Sequence, residues 1–302
     1  MSGAIPVRLV ENLRAVPYAP FYYALSGSYF ANEGLAVTVI TAPNTAETAM
    51  TLLRGEGDVA WGGPMRVLLH HDQDGDCPLV CFGQVVARDP FMLLGRTPNP
   101  SFRFADLDGL EVGVATDVPT PWLTFQDDLA RAGVAPDSIR RGPMRTMAEA
   151  VDAFRGGALD VIQVFEPWAD ILVQEAGAHL WHRFSTRGDI AYTTFYATRR
   201  LASESADTCR RLVRGMARAQ GDFHQAPLAR IAERVQPYFP QLAVAALERM
   251  IGGYRQAALW SRTPDLPPAA LLRLKAALVS GGLLKHDTPY DRVIDAALCT
   301  TA

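Results

Sequence analysis

Five large aromatic residues stand where a protein that grips a flat molecule would need them. Trp61, Trp122 and Trp168, with Tyr18 and Tyr192, follow or open short apolar runs, on segments that read as loops or crossings. Rings on opposing loops can sandwich a planar group, gaining roughly 0.5–1.5 kcal/mol per stacked pair beyond burial. The plain alternative is that they wall a core. Beside Trp61 runs Gly62-Gly63-Pro64, a turn with no side chain to obstruct approach. Pro64 suits the first turn of a helix, whose free N–H groups and partial positive charge would receive a carboxylate, sulfonate or phosphate. The same glycines serve equally well as a tight strand-to-helix turn. Arg66 and Arg88 bear on the ligand, because a guanidinium fork favours sulfonate or carboxylate. Glu166 can cap the helix beginning at Pro167 or accept hydrogen bonds from a ligand amine such as an aminopyrimidine. Asn12, Asn44, Thr45, Thr116 and Thr120 add neutral donors and acceptors, with local turn bonding or capping as their structural use.

Other chemistries find no support. Cys77, Cys81, Cys209 and Cys299 form no Cys-x-x-Cys pair, and on one extended segment Cys77 and Cys81 lie too far apart for a disulfide. His70 and His71 point about 100° apart on a helix, and His179 and His182 lack a third partner, so no metal site is expected. There is no Gly-x-Ser-x-Gly and no nucleotide-binding glycine pattern. We expect no cofactor and no catalytic set.

The elements that must carry these residues are written twice. Ala49-Met-Thr-Leu-Leu-Arg-Gly-Glu-Gly-Asp58-Val59 leads to Gly62-Gly63-Pro64, and Ala150-Val-Asp-Ala-Phe-Arg-Gly-Gly-Ala-Leu-Asp160-Val161 leads to Glu166-Pro167. Each copy predicts an amphipathic helix, a glycine break, a short buried strand opened by Asp-Val and a new helix. Strands are predicted at Val7–Val10, Leu35–Ile40, Leu79–Ala87, Glu111–Ala115 and Val161–Phe165, with a helix over Phe21–Phe30 and an Asn44-Thr45 cap ahead of the next. Two βα-wound α/β lobes follow, 1–87 with 197–302 and 88–196, joined by a two-strand hinge near Val86–Asp89 and Tyr192–Tyr196. The helical C-terminal third packs on lobe one. Ligands of such sheets bind outside the carboxyl ends of the strands, which selects residues 12–18, 43–45, 61–64, 116–122 and 165–168.

The 302 residues suit two medium domains, and 29 Lys+Arg against 32 Asp+Glu, dispersed, make nucleic acid an unlikely partner. No apolar run reaches the roughly 20 residues that span a bilayer, so no transmembrane segment is expected. Met1-Ser-Gly-Ala-Ile-Pro shows no leader; the protein is expected to be periplasmic if an export signal has been trimmed, and cytoplasmic otherwise.

Tyr18-Ala-Pro-Phe-Tyr-Tyr-Ala-Leu, followed by Gly27-Ser-Tyr-Phe-Ala-Asn-Glu-Gly-Leu-Ala-Val, resembles the opening of the substrate-binding proteins related to thiamine-pyrimidine synthase and the aliphatic-sulfonate receptors. Gly57-Asp58-Val59, Asp106-Leu-Asp-Gly-Leu-Glu-Val-Gly-Val114 and Asp160-Val161 running to Glu166-Pro167-Trp168 extend the likeness over about 7–225. The resemblance implies a type II periplasmic-binding-protein fold and a receptor that feeds the membrane subunits of an ABC importer. Its ligand would be an aromatic heterocycle akin to the thiamine pyrimidine precursor, or a sulfonate- or nitrate-like anion, held in the interlobe cleft. Enzymes on the same scaffold are the alternative: a pyridoxal-phosphate-using pyrimidine synthase with a Cys-rich motif, or a desulfinase with a Cys nucleophile. This sequence has no Cys-rich run, and its first loop, Glu11–Pro20, holds no Cys. A cytoplasmic ligand sensor is a third reading.

Overall fold

A computed structural model describes residues 3–114, 116 and 118–299. Its strands are β1 (Ile5–Glu11), β2 (Leu35–Thr41), β3 (Val59–Gly62), β4 (Leu79–Val86), β5 (Met92–Gly95), β6 (Glu111–Val114), β7 (Arg140–Arg141), β8 (Val161–Val164), β9 (His179–Arg183) and β10 (Thr193–Thr198). Its main helices are α1 (Ala19–Ser26), α2 (Glu47–Leu53), α3 (Pro64–Gln73), α4 (Thr120–Arg131), α5 (Met147–Arg155), α6 (Trp168–Ala176), α7 (Arg199–Glu204), α8 (Ala206–Gln225), α9 (Leu228–Val235), α10 (Val244–Gln256) and α11 (Pro268–Ser280). The chain divides into two compact units. The first runs to Ala87, then Asp189–Lys275 and onward from Leu284; the second is Arg88–Gly188 with Ala276–Leu283.

Each unit has one five-stranded sheet, ordered β2-β1-β3-β10-β4 and β7-β6-β8-β5-β9. The first three strands of each order are parallel, and the fourth, β10 or β5, runs antiparallel to both neighbours. These fourth strands are the ones that follow a passage of the chain from one unit to the other. The two α/β windings expected from the sequence are therefore present.

The duplicated Asp-Val has a common cause. Asp58 N donates to Arg8 O at 2.9 Å, and its carboxylate accepts Arg8 N at 2.7 Å. Asp160 N donates to Glu111 O at 2.9 Å, and its carboxylate accepts Glu111 N at 2.8 Å. In both units an aspartate satisfies the backbone of the neighbouring central strand where the ladder begins. Gly55 and Gly157, with φ of 72° and 86°, stop the helix before it, as the glycine break predicts.

Three boundaries differ from expectation. Helix α1 begins at Ala19, after a 3-10 turn at Val16–Tyr18, and ends at Ser26 rather than Phe30, since Ser28 turns to a φ of 61°. The return to the first unit falls at Asp189, so Tyr192 and β10 belong to the first sheet; β10 is completed there by hydrogen bonds to β3 and β4. Of the C-terminal helices, α8 and α9 pack on α1 as expected, whereas residues 276–283 group with the second unit. Ala115, the expected end of β6, lies outside the described residues.

The passages are held by two sets of contacts. In the first unit Ile190 N donates to Ala87 O at 2.8 Å and Ala87 N to Leu259 O at 2.9 Å. In the second, Arg187 lies against both Asp89 and Asp128, with Asp89 0% and Arg187 8% exposed at the side chain. Asp89 also accepts Phe91 N at 2.9 Å and Thr124 Oγ1 at 3.2 Å. Burial lifts the Asp89 carboxyl above its usual value, against the pull of Arg187. On the first unit, Asp222 of α8 accepts the hydroxyls of Tyr23 at 2.6 Å and Tyr29 at 2.5 Å, which hold its pKa below the usual aspartate value.

Arg187→Met leaves two acids without their cation, and we expect a loss of about 3–5 kcal/mol in urea unfolding. Because the folded pKa of Asp222 is lowered, its contribution is complete above the unfolded value of about 3.9 and fades as pH falls through the folded value. Asp222→Asn should accordingly flatten the acid limb of a stability profile followed by circular dichroism; an unchanged slope would contradict the assignment.

Candidate functional site

Parallel pairing of β1 with β3 sets Glu11 beside Trp61, so the strands end together and release Asn12 and Gly62-Gly63 at one edge. Asn12 is buried there: its Nδ2 donates to Tyr18 Oη at 3.3 Å and its Oδ1 accepts Thr48 Oγ1 at 3.2 Å. Burial raises the Tyr18 hydroxyl pKa. A Cβ on Gly62 would lie 3.2 Å from the Tyr196 ring and 3.5 Å from Asn12 Cβ, and one on Gly63 3.4 Å from Tyr192 O. The glycines thus admit close neighbours of the protein's own. Gly63 leads into α3 with no side-chain cap and no acid in the first turn, which leaves the helix's positive end uncompensated.

Glu11, fully buried, fixes the loop that follows β1. It accepts Arg14 Nη2 at 2.6 Å, Tyr22 Oη at 2.7 Å and Thr41 Oγ1 at 2.5 Å. Trp61 is likewise 0% exposed, stacked on Phe21 at 4.5 Å and 13°, with Tyr22 edge-on at 5.8 Å. The expectation that Trp61 offers a face to a ring is corrected: its faces serve the core of the first unit. Its Nε1 has no hydrogen-bond partner, while the buried hydroxyls of Thr193 and Thr194 lie against Tyr18 and Cys81.

Arg66, in the first turn of α3, is half-buried, and its guanidinium forms neither an ion pair nor a hydrogen bond among the described residues. Burial lowers its pKa, against a smaller opposing influence of the Tyr196 hydroxyl. Arg66 also joins burial in lowering the pKa of His70. Other arginines are answered: Arg214, half-buried, by Glu33 at 3.0 Å, and the more exposed Arg96 by the carbonyls of Leu159 and Phe154.

In the second unit a cavity of about 460 Å³ is lined by Trp122, Gln126, Thr116, Arg141, Ile139 and Met144, among others. It brings Thr116 and Trp122 together, as expected, but Trp122 is not a bare face. Arg141 Cζ lies 4.5 Å over its ring, and Phe125 meets it edge-on at 5.5 Å. Thr116 Oγ1 donates to Arg145 O at 2.9 Å.

The remaining sequence candidates have structural uses. Asn44 Oδ1 accepts the amides of Ala46 and Glu47 ahead of α2, which is the capping alternative; Thr45 follows it, half-buried. Glu166 Oε2 accepts Asp170 N at 2.8 Å in the first turn of α6, again the capping use, and Trp168 opens that helix half-buried. Thr120 is buried and starts α4, and Arg88 is half-buried beside Asp89. Tyr192 is half-buried, its carbonyl against Gly63. Thr48, Gln126, Arg141 and Tyr196 were not singled out by sequence; nothing in their spacing distinguishes them from surface or core positions. All four cysteines are free and buried, with burial raising each thiol, Cys81 and Cys209 to about 12. Among the described residues no group of three or more His, Cys, Asp or Glu could hold a metal ion.

Asn12→Ala removes the acceptor of Thr48 and the donor to Tyr18 in a buried place, and should cost about 1–3 kcal/mol in thermal or urea unfolding. A change below a few tenths would mean that Thr48 and Tyr18 re-pair.

Residues 16–229 match the family described as NMT1/THI5 like. A Bacillus subtilis (strain 168) protein, provisionally named binding protein YtlA, is 24% identical over 294 residues, 96% of this chain and 87% of its own length. The periplasmic aliphatic sulphonate binding protein SsuA of Escherichia coli superposes with a TM-score of 0.78 at 16% identity, over 97% of this chain and 92% of its own. The alkanesulfonate-binding protein SsuA of Xanthomonas axonopodis pv. citri, bound to MOPS, gives 0.73 at 18% identity over 99% of both chains. The desulfurization enzyme DSZB also shares the fold, with a TM-score of 0.71 at 16% identity over 97% of both chains. The two-unit α/β architecture is thus that of the periplasmic binding proteins, and the chain belongs to the NMT1/THI5-like family.

Proposed function

We propose that the protein is the solute receptor of an ABC-type importer, that it works in the periplasm, and that its ligand is a small organic anion of the sulfonate class. The observation that carries the ligand class is Arg66. A half-buried guanidinium without an acid costs free energy in the empty protein, and an oxyanion with two acceptor oxygens removes that cost. The uncapped start of α3 adds backbone dipoles of the same sign. The names of the two sulfonate-binding neighbours agree with this chemistry. A neutral heterocycle answers the aromatic residues but leaves Arg66 unpaired.

The reading as a receptor rather than an enzyme is supported by the binding-protein relatives and by the thiols. Burial raises all four above the ordinary range, which leaves little thiolate to act as a nucleophile of the desulfinase kind. The importer's membrane subunits are the implied partner.

Thermal shift against alkanesulfonates, nitrate and pyrimidines checks the assignment: a true ligand at a hundred times its Kd should stabilise by about 2.7 kcal/mol. Arg66→Gln should weaken the sulfonate by roughly ten- to a hundredfold, the worth of a hydrogen bond to a charged group, without lowering the stability of the empty protein. Stabilisation by a pyrimidine alone, or turnover of any compound without stabilisation, would reverse the ranking.

A further inference from the structure

We infer that His70 makes anion binding at Arg66 proton-linked: when an anion seats on the guanidinium, the His70 imidazole takes a proton from solvent, and the site therefore holds anions more tightly as pH falls. The inference rests on the reading of Arg66 as the group that meets the ligand. Both residues belong to α3, four positions apart, so their side chains leave one face of the helix about 6 Å from one another. Both are half-buried, and neither forms an ion pair or a side-chain hydrogen bond among the described residues. The two basic groups thus feel each other through partly buried surroundings, where the interaction is screened less than in bulk water.

The elements packed on α3 are β4, β10 and α12 (Tyr290–Val293). From β10, Tyr196 lies toward Arg66, and burial keeps its hydroxyl protonated throughout the physiological range. From β4 comes Cys81, a buried thiol raised to about 12 that lies beside Tyr196. Helix α12 brings Asp291 and Arg292, both exposed, and the charge of Arg292 is felt by His71. On α3 itself Asp72 is taken by His286 and the amide of Lys285, and His71 Nε2 donates to Leu79 O at 3.1 Å. Arg66 is left as the charge that acts on His70.

His70 stands between opposed influences. It lies in the last turn of α3, whose partial negative charge favours an imidazolium. Burial, and after it the Arg66 charge, hold the imidazole below its ordinary range. An anion on Arg66 cancels the second of these. The His70 pKa is then higher in the bound protein than in the empty one, so affinity is lowest above the bound value, rises as pH falls between the two, and levels off below the empty value.

The probe is ethanesulfonate, whose own charge is constant over the range, titrated into the full chain by calorimetry at about pH 8 and about pH 5 while the His70 ring proton is followed by NMR. We expect roughly three- to tenfold tighter binding at the lower pH, and a heat near the midpoint that varies with the buffer because a proton is taken up. Saturating ethanesulfonate should move the His70 midpoint upward, and Arg66→Gln should do the same in the empty protein. His70→Gln should keep the affinity seen at the higher pH and lose the gain at the lower. If ethanesulfonate binds, an unmoved His70 midpoint, equal affinity at both pH values, or the same gain in His70→Gln would overturn this inference and leave the sulfonate reading standing. No binding at either pH would overturn both. The His70 midpoint with and without ethanesulfonate is read on the unaltered protein and needs no variant to fold.

Discussion

A buried arginine between two aspartates decides how the chain is threaded. Asp89 and Arg187 each lie one residue inside the second unit from a passage of the chain, and their ion pair makes the outgoing and returning segments neighbours. Asp128 brings α4 to the same charge, and Asp89 spends its remaining capacity on Phe91 N and Thr124. Such a cluster adds little net stability compared with apolar packing, but no partner can leave without stranding a charge in the interior. It therefore specifies which segments must lie together. The sheets record the result: β5 and β10, which follow the two neighbouring passages, take equivalent antiparallel places in the two sheet orders.

The same accounting of charge separates the arginines answered within the fold from the one we propose to meet a ligand. Arg187, Arg214 and Arg96 are answered by acids or carbonyls within their own unit. Arg66 is not, and it stands in the first turn of α3, whose start has neither a side-chain cap nor an acid. A protein that needs its binding energy for a ligand leaves polar groups unpaired where the ligand will come, at a cost to the empty state.

Much of the frame was legible in the sequence because local rules and tertiary needs coincide there. The repeated Asp-Val is visible as text, and the folded chain uses Asp58 and Asp160 identically, one residue ahead of a buried strand. Capping was legible too: Asn44 and Glu166 each reach the helix amides their spacing implies. The site was legible only as a set of loops. Asn12, Gly62 and Gly63 are found together, yet Trp61 turned inward because Phe21, Tyr22 and Tyr18, distant in the pattern of β3, surround it. Arg141 gave no signal, for an arginine on a two-residue edge strand looks like any solvated charge until Trp122 is found beneath it.

What the sequence determined by itself was therefore periodicity, breaks and caps: two α/β windings, the places where their strands end, and the family. These depend on neighbours a few residues away, which the order of the chain supplies directly. Only the tertiary structure decided which polar groups are paired, where the second passage returns and which aromatic rings are covered. Those outcomes depend on contacts across tens to hundreds of residues, such as Asp89 with Arg187 or Tyr23 with Asp222, and no local pattern encodes the partner at the other end.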